Sequence, residues 1–204
     1  MIKQRIAIAN IGIGNSKSVF NALYSLGLDS EIINEGTELS KFSHVILPGV
    51  GAFDHAVSLL HEKSFFEELL NFNKVGNPIL GICLGMQLLF SSSDEGDKKG
   101  LDLIAGKISR IEPTHNINVP NTGWHDIAVT RPNTLLETSS TLRMYHNHAY
   151  AFQEPTSMYA TAVIKSEPNI VVGVESDGVF GLQFHPEKSH QSGIDILKAF
   201  VNPK

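Results

Sequence analysis

A chain of 204 residues, 42% hydrophobic and 18% charged, is long enough to bury its own core and too apolar to be disordered. Its formal charge of −5 carries no block of one sign, which argues against a nucleic-acid surface, and its longest apolar runs are broken by Gly and Pro short of the ~18 residues of a membrane span. The single cysteine excludes an internal disulfide and fits a reducing compartment, so a cytoplasmic location is expected.

The opening "MIKQRIAIANIGIG" has the outline of a signal peptide, two early positive charges and then apolar residues. Asn10 breaks that run and no small-residue cleavage site follows cleanly, so the segment 5–12 reads as a first β-strand. Residues 16–27 form an expected helix, with Ser16 near its start and Gly27 at its end. Strands follow at 29–34 and 44–49, the second stopped by Pro48-Gly49. Apolar residues spaced three to four apart predict helices at 54–62 and 64–75. "NPILGIC" (77–83) is a short, fully apolar strand, and "GMQLLFSSS" (85–93) is expected to continue as a helix. Apolar strands alternating with helices imply a parallel sheet covered on both faces.

The second half changes character. Segments 106–113, 124–130, 142–152, 158–164, 170–176 and 178–188 are short and rich in β-branched and aromatic residues, with turn signals between them. They are expected to be mostly extended, with antiparallel hairpins, before a closing helix at 192–202. The predicted fold class is therefore α/β: a mostly parallel central sheet flanked by helices, with additional antiparallel strands in the C-terminal half. No internal repeat or low-complexity linker interrupts the chain, so residues 1–204 are taken as one domain.

The lone cysteine raises the question of chemistry. Cys83 lies in "GICLG", where an apolar strand turns into a helix. Glycines two positions before and after a nucleophile allow a sharp turn that projects it above the sheet edge. The following helix N-terminus favours a thiolate, and a backbone N–H near Leu84 is placed to hold an oxyanion. The competing reading is a small buried hydrophobe beside packing glycines.

A thiolate nucleophile needs a base, and "GLQFHPEKS" offers His185 and Glu187 around Pro186. If Pro186 keeps the backbone extended, residues two apart point the same way. Glu187 then holds one ring nitrogen of His185 while the other faces Cys83. A surface His and Glu after an edge strand is the bland alternative. "LPGVGAF" (47–53) adds a glycine-rich turn at a strand's carboxyl end, where ligands bind in open parallel sheets; amides around Val50 and Gly51 are candidates for a second oxyanion donor. A plain strand-to-helix loop would look the same.

Two other signals carry less. "GIGNSK" begins like a dinucleotide fingerprint, but Lys17 stands where its third glycine belongs, which leaves a strand–helix turn. Nine histidines invite a metal reading that no zinc-type helix motif or second cysteine supports, so no metal is expected. His146 and His148 are expected on one face of a strand, in a polar pocket or against a partner.

"PGVGAF", "GICLGMQLLF", "GLDLIAGKISRI" and "GLQFHPEKS" occur together in the order and spacing of the class I glutamine amidotransferases, which this chain resembles over nearly its whole length. The resemblance implies a flavodoxin-like α/β fold. It leans toward the histidine-biosynthetic branch, whose glutaminase subunits form a heterodimer with a (β/α)8-barrel cyclase that makes imidazole glycerol phosphate and AICAR. It implies that Cys83 attacks the side-chain amide of L-glutamine, that His185 carries the proton to the leaving ammonia and that Glu187 orients His185. Amides of Gly51 and Leu84 are implied as oxyanion donors. Gln87 is implied to hold the substrate, and the segment 148–150, with Ala149 and Tyr150, to grip its amino-acid end. Ammonia transfer to the partner implies no cofactor on this chain.

The chain also departs from the family pattern. Asn10-Ile11-Gly12 replaces Asp-Tyr-Gly, and "YHNHAY" replaces a segment ending Val-His-Ser/Thr-Tyr. At the partner-facing loop "PHMGWN" is here "PNTGWH": Gly123 and Trp124 are kept, whereas Asn121, Thr122 and His125 are changed. All of these spare Cys83, His185 and Glu187 and fall at positions that the resemblance makes partner-facing or substrate-end. They keep open a paralogous assembly in which the ammonia amidinates or aminates sugars of a surface polysaccharide.

Overall fold

The structure is a computed structural model that describes residues 4–136 and 142–202. The first three residues of the N-terminal segment, Lys3 among them, lie outside the described residues. Strand β1 (Ile6–Ala9) leads into helix α1 (Ser16–Ser25), then β2 (Ser30–Ile33), β3 (His44–Gly49), α2 (Phe53–Glu62), α3 (Phe65–Lys74) and β4 (Ile79–Cys83). Gly27 ends α1 as expected: at φ +69° it donates its N–H back to the Tyr24 carbonyl.

Strands β2, β1, β3 and β4 lie side by side and parallel, and β12 (Val179–Leu182) extends them beyond β4. Alternation along β1 serves two cores at once. Ile6 and Ile8 pack with Val19 and Leu23 of α1 and with Leu197 and Phe200 of the closing helix α5 (His190–Val201). Ala7 and Ala9 face the other way, toward Ala56 and Leu60 of α2 and Leu69 of α3. Both faces of the parallel strands are thus dry, which is why they read as continuous apolar runs.

Beyond β12 the sheet turns antiparallel through β11 (Glu167–Ser176), β10 (Ala160–Ile164), β7 (Asn121–Val129) and β8 (Leu142–His148). A side branch is formed by β5 (Phe90–Ser93), β6 (Ile104–Arg110) and β9 (Tyr150–Phe152). The predicted α/β class, parallel first and antiparallel later, is the observed one. No helix among the described residues is long and apolar enough to cross a membrane.

Three local expectations are corrected. The helix expected over 85–93 is one turn, α4 (Leu84–Gln87), after which the chain becomes β5 because Phe90 and Ser93 pair with Ile104 and Ile108. The extended run 142–152 is two strands, parted at Ala149. Residues Pro186–Lys188 form a turn of 3-10 helix, with Pro186 at its first position where its missing N–H costs nothing.

Candidate active site

The last residue of β4 and the turn after it set the site. Cys83 adopts φ 57° and ψ −112°, a conformation that a side chain enters only when its surroundings enforce it. Those surroundings are the two glycines. A Cβ on Gly81 would collide with the Gly85 carbonyl, and one on Gly85 with the Leu47 carbonyl of β3. We therefore expect Gly85→Ala to lower stability by about 2–3 kcal/mol, from forced backbone movement, and to displace the cysteine. Chemical denaturation and thiol labelling measure the two effects.

The sulfur of Cys83 is nearly buried, 5% exposed for the residue. Its thiol lies 3.8 Å from the Asn147 carbonyl, and Gln183 Nε2 points at the sulfur from 3.9 Å. His185, also buried, is close enough to Cys83 for the sulfur to influence its titration. The other ring nitrogen, Nδ1, meets Glu187 Oε1 at 2.9 Å. The expected face-sharing of positions 185 and 187 is therefore present, delivered by a 3-10 turn and not by extended chain. Serine 189 fastens that turn, donating its hydroxyl to the His185 carbonyl at 2.6 Å.

Burial alone would lower the pKa of His185, but hydrogen bonds and negative charge from Cys83 and Glu187 outweigh it and push the group up to about 9. The imidazolium is thus the form this pocket favours at neutral pH.

Cys83 opens into a cleft of about 140 Å³, lined also by Val50, Gly51, Leu84, Gln87 and the segment 147–150. Gly51, at φ +100°, and Leu84, the first residue of α4, both line it. Gln87 is buried and its amide nitrogen donates to the Tyr150 carbonyl at 3.1 Å and to Gln183 Oε1 at 3.2 Å. Ala149 and Tyr150 form part of the wall. Two larger hollows of about 280 and 470 Å³ surround Trp124 and Arg143, but neither touches Cys83, so size does not mark the chemistry.

A second carboxylate at the site, Glu95, escaped the sequence reading. Glu95 lines the same cleft, and burial raises its pKa, opposed by a hydrogen bond from the Phe53 N–H and reinforced by the nearby Asp54. It was hidden because the segment before it was read as helix. Only an acidic residue soon after the nucleophile motif could have signalled it.

His146 and His148 do share one face of β8, and both are buried. His148 Nδ1 donates to the Tyr150 carbonyl at 2.9 Å, so its Nε2 accepts from Asn121 Nδ2 at 3.2 Å. Burial holds His148 down at about 4, and His146 well below its ordinary value, so both are neutral. Asn121, expected on the partner-facing loop, turns its side chain inward at 2% exposure. Gly123 and Trp124 are half-buried on β7, and Trp124 stacks on His190 at 4.9 Å between ring centres. Among the described residues no group of three or more His, Cys, Asp or Glu side chains is arranged to hold a metal ion.

Residues 7–202 match the family Glutamine amidotransferase class-I. The chain is 37% identical over 201 residues to the imidazole glycerol phosphate synthase subunit HisH of Trichodesmium erythraeum, covering 97% of this chain and 94% of that protein. It is 38% identical over 197 residues to the HisH subunit of Methanothermobacter thermautotrophicus, covering 96% and 97%. Among solved structures, PurLQS from Thermotoga maritima superposes with a TM-score of 0.75 at 19% identity, covering 98% of this chain and 99% of that one. A glutamine amidotransferase crystal structure gives a TM-score of 0.76 at 17% identity, covering 96% and 98%. These two likenesses speak to the fold.

Proposed function

The chain belongs to the class I glutamine amidotransferase family, and we propose that it is the glutaminase subunit of an imidazole glycerol phosphate synthase, hydrolysing L-glutamine through Cys83, His185 and Glu187. The observation that carries the mechanism is His185 hydrogen-bonded to Glu187 and electrostatically coupled to Cys83, which opens on a cleft with Gly51 and Leu84. Near-full-length identity to HisH subunits carries the assignment to this branch.

The chemistry runs in two halves. The thiolate of Cys83 attacks the side-chain carbonyl of glutamine, forming an S–C bond and a tetrahedral oxyanion. The Leu84 and Gly51 amides receive that charge. His185, as imidazolium, passes its proton to the amide nitrogen, the C–N bond breaks, and ammonia leaves with a thioester remaining. His185, now neutral, takes a proton from water as it attacks; the S–C bond breaks and glutamate departs. Glu187 holds the imidazole in the orientation and tautomer both halves require. At the other end of the substrate, Glu95 supplies the negative charge that an α-ammonium needs, and Gln87 steadies the wall through the Tyr150 carbonyl.

In this reading the ammonia passes to a (β/α)8-barrel cyclase in a heterodimer, in the cytoplasm, with no cofactor on this chain. A second reading keeps the chemistry and changes the partner, to a related synthase that amidinates or aminates surface-polysaccharide sugars. It is favoured by the altered lip of the cleft. Thr122 donates its hydroxyl to Asn147 Oδ1 at 2.9 Å, a polar pair where the family pattern carries Met and Val. The test is glutamate release from L-glutamine by the chain alone and mixed with the histidine-pathway cyclase of its organism, with that enzyme's nucleotide substrate present. We expect slow release alone and a strong rise on mixing. Cys83-dependent release that mixing leaves unchanged would move the assignment to the second partner.

A further inference from the structure

Glu95 does more in this fold than line the cleft. Its Oε2 accepts the N–H of Phe53 at 2.9 Å, across a sequence separation of 42 residues. Phe53 begins α2, and the residue before it, Ala52, has no side chain able to cap the helix. The same turn is fastened twice more, because Asp54 accepts the N–H groups of Asp97 at 3.1 Å and Lys98 at 3.0 Å. Glu95 is itself braced, its N–H bound to Ser93 Oγ at 3.1 Å.

The loop these contacts anchor is the one that carries Gly51. Its upstream end is fixed in the sheet, where Gly49 sits in register with Cys83. Only residues 50–52 separate that point from Phe53, and Gly51 lies among them in a left-handed conformation. The orientation of the Gly51 amide is therefore set between Gly49 at one end and the Glu95-held N–H at the other.

We propose that Glu95 is a positioning residue that couples recognition of the substrate's α-ammonium to the oxyanion loop. This rests on the glutaminase reading above. A bound ammonium stops the carboxylate from turning, and a carboxylate held in one orientation keeps its hydrogen bond to the Phe53 N–H. One oxygen then meets the substrate while the other tightens on Phe53, and the Gly51 amide is held where the oxyanion forms. Glutaramate, which is glutamine without its α-amino group, would enter the cleft but leave the loop loosely anchored. The cleft thus selects α-amino acids at the chemical step as well as at binding.

Hydrogen exchange at the Phe53 amide tests this without turnover, in Cys83→Ala protein saturated with either ligand. L-Glutamine should slow exchange there by about tenfold more than glutaramate, because only its ammonium fixes the Glu95 acceptor on that N–H. In Cys83→Ala/Glu95→Gln protein the two ligands should give the same exchange. Alongside it, Glu95→Gln with Cys83 intact should lose roughly 10- to 100-fold in kcat for L-glutamine in addition to raising KM, as a misplaced donor would. Equal protection by the two ligands, or a loss confined to KM, would overturn the coupling and leave Glu95 as an ammonium ligand only. Wild-type glutamate release reports separately on the glutaminase reading. If L-glutamine is neither hydrolysed nor felt by any amide of the cleft, that reading falls and this inference falls with it.

Discussion

Cys83→Ala is expected to lower glutamate release from L-glutamine by roughly 10⁴-fold or more, with no effect on folding. The size follows from what the residue does. No other cysteine exists in the chain, and the cleft that Cys83 shares with Gly51 and Leu84 is the one proposed to hold the substrate amide. What survives the substitution is the binding and oxyanion stabilisation of the empty cleft, which cannot form the thioester. The fold should tolerate the change because alanine fits wherever the Cys83 side chain fits, although the positive φ at this position disfavours either residue. Isothermal titration against the proposed cyclase partner separates a lost nucleophile from a lost fold: unchanged affinity with no glutamate release is the expected pair of results. Retained hydrolysis would remove Cys83 from the mechanism.

Glu187→Gln is expected to reduce kcat by roughly 10²- to 10⁴-fold while leaving KM nearly unchanged. The carboxylate is buried against His185, at 1% side-chain exposure, and its second oxygen has no partner among the described residues. Its charge is therefore directed at the imidazolium and little else. Removing that charge takes away one of the influences that raise His185 to about 9, so the folded group must titrate at lower pH. The sign for activity follows. The leaving ammonia needs the proton of the imidazolium, so the alkaline limb of the rate profile falls where His185 loses it. In the wild type that limb should lie near pH 9, and in Glu187→Gln it should move toward neutrality. A pH–kcat profile of the two proteins checks both amplitude and direction. An unchanged limb would place Glu187 outside the triad.

How much of this was legible in the residues depended on how local its cause was. The parallel half of the sheet could be read because β1, β3 and β4 are buried on both faces and so are continuously apolar. The elbow could be read because its glycines answer collisions within a few residues of Cys83 and with the adjoining strand. By contrast, "LLFSSS" carries no period that separates helix from strand, and its fate is decided by pairing with β6, more than ten residues on. That error concealed Glu95, whose partner Phe53 is far away in the chain.

The pair His185 and Glu187 differs in kind. His185 and Glu187 do meet, yet the reason first offered, an extended backbone, was wrong; Pro186 starts a 3-10 turn that brings the carboxylate to Nδ1. Asn121 shows the same limit from another side. A loop motif marks a region, but strand pairing of Asn121 with His148 decides that this particular side chain points inward. Residue identity thus marked where the candidate site lies, while non-local pairing decided which neighbours surround it.

The account stands most directly on a covalent bond between Cys83 and a glutamine-derived carbon. Intact-mass and peptide mass spectrometry after incubation with a glutamine analogue bearing a diazoketone in place of its amide would detect it. The expected result is one adduct per chain, on the peptide containing Cys83, with parallel loss of glutamate release, and none in Cys83→Ala. Labelling elsewhere, or labelling of Cys83 that leaves glutamine hydrolysis intact, would contradict the mechanism.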